Sequence, residues 1–407
     1  MKHFSHLNSA AEIIRLYKGE QPFHHFIKDF FRQYKKYGSK DRKRISGLCY
    51  ACFRLGKSFP ALALVEKILA GWYLCSTLPD ELLQHLRPEW NAAVQQPLKE
   101  KCAIAGLPYV ELDIFPCTEE LSNAIDKEAF ILSHLQQPDL FIRIRPGYEN
   151  KVLQQLDEAG RAYHRLSQSC LAFANAAKID ELLQLNREAV IQDYSSQRVG
   201  ELLELAKARG PIATVWDCCA ASGGKSILAI DILGNIRLTV SDIRKSILIN
   251  LEKRFSEAGI GNYTSLVADL GGEGRTTARP ALAGVTPVKQ MNRGTPALAP
   301  GIDLIIADVP CSGSGTWGRT PESLSYFKEE EINRYQALQK QIVTNAGAQL
   351  KEGGCFLYIT CSVFKKENED MAAFIEETLH LRPVKMETLK GYEIKADTMF
   401  TALFAKE

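Results

Sequence analysis

From about residue 206 the chain repeats one pattern: a short apolar run, a turn, then an amphipathic helix. The runs are Ile212–Trp216, Ile236–Val240, 263–267, Ile302–Ala307 and Cys355–Thr360, with helices over Lys225–Leu233, 244–258, 323–350 and 367–379. Such alternation is satisfied by a parallel sheet with helices on both faces, because each crossover returns the chain to the same end of the sheet. The apolar run Met399–Ala405 follows the last helix closely and reads as an added edge strand. In this α/β fold, ligands lie outside the carboxyl ends of the strands. An acid closes each of the first four runs: Asp217, Asp242, Asp269 and Asp308.

The rest of the chain has a different texture. Residues 1–137 carry apolar side chains at helical spacing over 8–19, 22–36, 40–56 and 60–75, and further helices fit 79–86 and 118–136, so an all-α domain is expected. Residues 138–187 fit a small α+β linking module, with a strand at 140–146 and a helix at 148–159. The catalytic α/β domain then covers 188–407. Within it, 271–300 is rich in Gly, Pro, Thr and Ala and reads as a flexible surface insertion.

Composition narrows the classes. Of 407 residues 45% are hydrophobic and 24% charged, as in an ordinary globular protein, and the net charge of +2 announces no strongly basic binder. No window reaches the roughly 18 apolar residues of a membrane span, and the start lacks a signal-peptide core, so a cytoplasmic protein is expected. Eleven cysteines without a secretory signal suggest reduced thiols rather than a disulfide framework. Cys49 and Cys52 fall in a predicted helix without a second ligand pair, and with His24-His25 they do not make a zinc pattern; no metal is expected.

Two constellations carry chemistry. The first is the turn Asp217-Cys-Cys-Ala-Ala-Ser-Gly-Gly-Lys-Ser226. Its Gly-Lys-Ser ending imitates a phosphate-binding loop, but Cys219 stands where the leading glycine belongs. The other reading is a nucleoside cofactor, with Asp242 on ribose hydroxyls and Asp269 near a base amino group, each also a plausible helix cap. Gly313-Ser-Gly-Thr-Trp-Gly318 matches a dinucleotide fingerprint, but comes too late in the order of strands. The second constellation is Asp308-Val-Pro-Cys311 after the fourth run and Thr360-Cys361-Ser362 after the fifth. If those strands are neighbours, about 4.8 Å apart, both thiols reach the ligand end and converge on one small substrate.

These motifs, with Glu367-Asn368-Glu369, Ser195, Gln197, Arg319 and Pro321-Glu322, resemble the RNA (cytosine-5) methyltransferases of the RsmB/Sun type, bacterial rRNA branch. The resemblance covers about 188–407; more weakly, Asp41-Arg42 through Tyr50 and Arg54 are similar to a NusB-like RNA-binding domain. It implies a class I (Rossmann-like) methyltransferase that uses S-adenosyl-L-methionine, held by Cys219, Ala220, Ala221, Ser222, Gly223, Gly224, Lys225, Asp242, Asp269 and Asp308. It further implies that Cys361 is the nucleophile, that Cys311 assists release, and that Asp308 and Lys225 complete the catalytic set. The expected partner is RNA, with ribosomal RNA the first choice and a monomer the expected state. The basic residues Lys35, Lys36, Lys40, Arg42, Lys43 and Arg44 either track phosphates or form a solvated helix face. Ser222 replaces the family's usual proline, and Trp317-Gly318 a more basic pair. Two rivals are a non-catalytic RNA-binding or ribosome-assembly protein that kept the fold, and a methyltransferase of another acceptor. No aromatic follows Asp308-Val-Pro, which counts against amino-group methylation.

Overall fold

The computed structural model describes residues 2–272, 286–290 and 301–407. They form two compact units. The first comprises Met1–Glu119, Asp126–Gln137 and Thr316–Glu329; the second comprises Glu120–Ile125, Pro138–Gly315 and Glu330–Glu407.

The first unit is helical, with Lys2–Leu16, Phe23–Gln33, Ser39–Phe53 and Leu64–Cys75 as its long helices. Two expectations shift. The stretch 118–136 holds only a short turn at Thr118–Glu120 and the helix Lys127–Ser133, capped by Asp126, which accepts from Ala129 N. The segment 316–329, expected in the catalytic domain, belongs to this unit's core. Trp317 is buried, its ring 5.1 Å from Phe115 and 4.7 Å from Phe327. Glu322 accepts from Phe23 N at 3.0 Å, and Arg54 donates to Gly318 O at 2.8 Å. Trp317 thus stands in place of a basic residue because it packs an aromatic interior.

The second unit holds two sheets. The smaller has four antiparallel strands, His164–Arg165, Cys170–Phe173, Leu140–Ile144 and Ala189–Ile191, in that order. Its helix Glu149–Glu158 buries Val152 and Leu156 against Ile142, Ile144, Leu171 and Phe173. The fourth strand lies just past residue 187, so the module's sheet closes with residues expected in the catalytic domain.

The larger sheet consists of β1 (Thr214–Asp217), β2 (Arg237–Asp242), β3 (Tyr263–Val267), β4 (Thr286–Gln290), β5 (Ile302–Asp308), β6 (Leu350–Thr360), β7 (Arg382–Leu389) and β8 (Met399–Ala405). The spatial order is β7-β8-β6-β5-β1-β2-β3-β4. The five central strands β6, β5, β1, β2 and β3 are parallel, while β4, β7 and β8 pair antiparallel. The chain runs outward from β1 through β2 and β3, then returns to place β5 on the other side, which sets the topological switch point between β1 and β5. Apolar clusters cover both faces, one around Val215, Val240, Ile306 and Leu357, the other around Trp216, Ile305, Phe356 and Tyr358. Buried Asp303 ties β5 to β1 by accepting from Ala213 N, Thr214 N and Thr214 Oγ1 at 2.7–2.9 Å.

Three readings change here. β8 is internal, not an edge: it lies between β6 and β7 and every residue is buried. The edge belongs to β7, whose Lys385 and Glu387 hid it from an apolar search. In 271–300, residues 286–290 form β4, whose backbone pairs with β3 from Val267–Thr286 to Thr264–Gln290. Residues 273–285 and 291–300, on which the expectation of a flexible insertion also falls, lie outside the described residues.

Candidate active site

The carboxyl ends of β1, β2, β5 and β6 open on a cavity of about 530 Å³, within the usual range of ligand sites. The turn after β1 is shaped by backbone geometry. Gly223 has φ +83°, and a Cβ there would lie 2.6 Å from the Phe255 ring, so only glycine allows the turn to pack on α2 (Lys245–Glu257). Ser222 accepts from Arg254 through both its carbonyl and its Oγ, at 3.0 and 2.9 Å, a side-chain tie in place of a proline ring. Gly224 opens α1 (Gly224–Leu233). Ala221 N donates to Asp242 Oδ2 at 3.2 Å, which joins the turn to the end of β2. Asp217 is fully buried beneath it and accepts from Ser226 Oγ at 2.6 Å. Burial pushes the Asp217 carboxyl up to about 7, against the pull of Ser226.

Of the residues expected to hold a cofactor, Cys219, Ala221, Asp242, Asp269 and Asp308 line the cavity. Ala220, Ser222, Gly223, Gly224 and Lys225 stand outside that lining and build the turn and helix start behind it. Asp269 accepts from Gly271 N and Gly272 N at 3.0 Å, so it also stiffens its own turn. The lining adds Ile243, Arg244, Leu270, Tyr335, Leu338 and Ile342, which sequence reading missed. The last three lie on one face of α3 (Glu330–Gly347), at offsets of three and four residues, a periodicity that was visible but unassigned.

At the other end of the cavity the two cysteines meet. β5 and β6 are adjacent and parallel, with Asp308 beside Ile359. Cys311 Sγ and Cys361 Sγ lie 3.2 Å apart, and both residues line the cavity. This is hydrogen-bond range for two thiols, and both cysteines are free. The Cys311 thiol is held well above its usual value, first by the Cys361 sulfur, then by burial and the Glu367 carboxylate. Cys311 therefore keeps its proton and is suited to share it with its neighbour. Lys225 Nζ lies 3.1 Å from Asp308 Oδ2 and donates to Ser196 Oγ at 2.7 Å. Its ammonium is thus engaged by Asp308, and Ser196 is a site residue the sequence did not single out, beside Ser195 and Gln197 that it did. Gly315, within the fingerprint-like run, lets the loop after β5 touch the chain before β8. A Cβ there would lie 1.9 Å from Thr398 O, and Gly315 N donates to Cys361 O at 2.9 Å.

A doubly wound sheet with acids and thiols at the carboxyl ends of its strands is a Rossmann-like α/β architecture with its ligand end open. A crystal structure of PH0851 has this fold over 98% of both chains, with TM-score 0.66 at 18% identity. NSun6 from Pyrococcus horikoshii, solved with SFG, matches 72% of this chain and 99% of its own, with TM-score 0.56 at 13% identity. Residues 205–404 match the family described as 16S rRNA methyltransferase RsmB/F. It is 28% identical over 213 residues to ribosomal RNA small subunit methyltransferase B of Xanthomonas campestris pv. campestris, covering 50% of this chain and 44% of that one. The chain spans about half the length of the curated relatives it matches, 44% and 54% in two of them.

The cofactor of this class is S-adenosylmethionine, and the cavity suits it. Asp242 and Asp269 put carboxylates on its lining, acceptors of the kind a nucleoside's hydroxyl and amino groups need. Ile243, Leu270, Leu338 and Ile342 give apolar walls for a purine face. Among the described residues no group of three or more His, Cys, Asp and Glu could hold a metal ion, and no helix is long and apolar enough to cross a membrane.

Proposed function

We propose that the chain methylates carbon 5 of a cytosine in RNA, with ribosomal RNA as the substrate class, through a covalent bond between Cys361 and carbon 6. The observation that carries this reading is the pair of sulfurs 3.2 Å apart on residues that line the cavity. Carbon 5 of cytosine is a poor nucleophile. Addition of the Cys361 thiolate to carbon 6 converts the ring to an enamine, in which carbon 5 is electron-rich. When bound, S-adenosylmethionine supplies the electrophilic methyl group. Asp308, backed by Lys225, is assigned to the amino group and ring nitrogen 3, where charge develops as the sulfur adds.

Cys311 serves both halves of the reaction. As a protonated thiol it donates to the Cys361 thiolate before addition. After transfer it takes the carbon 5 proton while its own proton passes to the departing Cys361 sulfur. The electrons of the C–H bond then restore the ring double bond, and the C–S pair leaves with sulfur. Both thiols then carry a proton, and the next cycle's thiolate forms when Cys361 releases its proton to solvent. The cytosine must leave its stack to reach thiols in a cleft, which favours an unpaired or opened RNA segment. The helical first unit, with its exposed Lys35, Lys36, Lys40 and Lys43, is assigned to RNA backbone contact. The reading is tested by mapping 5-methylcytosine in ribosomal RNA from cells with and without the protein. Loss of one modified cytosine in the deletion is the expected result; identical maps would refute it.

A further inference from the structure

Beneath the cysteine pair lies a carboxylate that the reaction does not consume. Glu367 has no exposed surface. Its Oε1 accepts from Ser312 N at 2.9 Å and from Gln339 Nε2 at 3.1 Å, and its Oε2 accepts from the hydroxyls of both Ser312 and Ser362. Ser312 follows Cys311, and Ser362 follows Cys361. One side chain therefore grips the residue next to each sulfur. The neighbouring Asn368 brackets Cys361 in the same manner: its Oδ1 accepts from Thr360 Oγ1 at 2.6 Å and its Nδ2 donates to Ser362 O at 2.9 Å.

We propose that Glu367 is a positioning residue that fixes Cys311 and Cys361 against each other by anchoring the loops that carry them. Two loops separated by fifty residues, |i−j| = 50 for the sulfurs themselves, have no local reason to hold their thiols in contact. A buried carboxylate with four donors has a strong one, because each donor lost leaves charge unsatisfied. Burial raises the Glu367 carboxyl above its ordinary value while its four donors pull it back down, and in its ionised form it has a second effect. The groups that bear on the Cys311 sulfur are Cys361 at the end of β6, Glu367, the Gly313 backbone N–H, which pulls the other way, Tyr335 on α3 and Tyr358 of β6; Tyr358 also donates to Glu367 O at 2.7 Å. Glu367 helps hold the proton on Cys311, the state the proposed reaction needs, and to that extent the inference rests on that reading.

The test uses the purified chain and diamide, a diazene that is reduced by two electrons and two protons as the two sulfurs join. The rate of Cys311–Cys361 coupling, read by peptide mass, needs no RNA. Glu367→Ala should slow coupling roughly tenfold or more, since small misplacements cost that much. Glu367→Gln should slow it less and move its pH profile downward, because a negative charge beside Cys311 is gone; Glu367→Asp should leave the profile in place. If the glutamate variants do not fold, Ser312→Ala and Ser362→Ala each remove one leg and should each slow coupling severalfold. Folded variants that couple at the parent rate with an unchanged profile would overturn the inference. A parent chain whose thiols couple as expected, but which captures no cytosine in RNA, would instead refute the proposed reaction and leave the clamp standing.

Discussion

The helical unit and the sheet both carry cysteine pairs, and the two differ in what surrounds the sulfur. Cys49 and Cys52 lie one helical turn apart on Ser39–Phe53, buried among apolar side chains. Burial alone accounts for most of their behaviour: it pushes the Cys52 thiol up to about 11 and Cys49 well above its usual value. Cys311 and Cys361 are only partly buried. They stand at the ends of adjacent strands, each facing the other's sulfur and a cavity with carboxylates in it. A spacing that looks like a motif thus gave apolar packing, and residues fifty apart gave the pair proposed to react. Reactivity follows convergence at an open strand end, not proximity in the chain.

The largest contrast is expected in catalysis. Cys361→Ala should cut methyl transfer by roughly 10⁴-fold or more, as for other lost nucleophiles. Cys52→Ala should change activity little and cost about 1–2 kcal/mol of stability, measured by denaturant unfolding. Equal activity loss in both variants would end the distinction between the pairs. Next comes Asp308→Asn, which removes the charge paired with Lys225; a loss of about 10²–10³-fold in kcat is expected, and an unchanged kcat would remove Asp308 from the mechanism. Asp242→Asn should weaken S-adenosylhomocysteine binding by about tenfold, the scale of one charge-assisted hydrogen bond, read by calorimetry with activity set aside. Unchanged affinity would place the cofactor elsewhere.

A separate effect falls on stability against pH, and it applies to a carboxyl the same desolvation that silences Cys52. Asp217 is raised from 3.8 to about 7 by burial in the fold. The folded state thus favours its protonated form. Its contribution is fully present below about pH 3.8 and is lost as pH rises through about 7. Asp217→Asn should flatten that part of the Tm profile relative to the parent. Parallel profiles over pH 4–8 would show that Asp217 ionises as freely in the fold as out of it.

Much of the second unit was legible because strand ends and helix periodicity are local signals. Asp217, Asp242 and Asp308 each announce a strand end, whereas the adjacency of β5 and β6 entered only as a condition that the sheet order then met. Other features depend on partners far along the chain. Trp317 and Glu322 read as part of the catalytic domain, yet Trp317 packs on Phe115 and Glu322 accepts from Phe23 N. β7 carries Lys385 and Glu387 because it is an edge strand, and that polarity conceals it. Glu367 sits in a recognisable motif, but its four donors come from three separate segments, so its purpose is visible only in the fold.

The central claim is that two sulfurs at adjacent strand ends act in sequence on one pyrimidine ring. RNA containing 5-fluorocytosine tests it most directly, since fluorine at carbon 5 cannot leave as a proton does and the adduct is trapped. With S-adenosylmethionine present, the parent chain should form a denaturant-stable protein–RNA complex whose mass maps to Cys361. Cys361→Ala should form none, and Cys311→Ala should accumulate a complex even with ordinary cytosine. Methylated RNA produced with no such complex, or a complex attached at any other residue, would contradict the account.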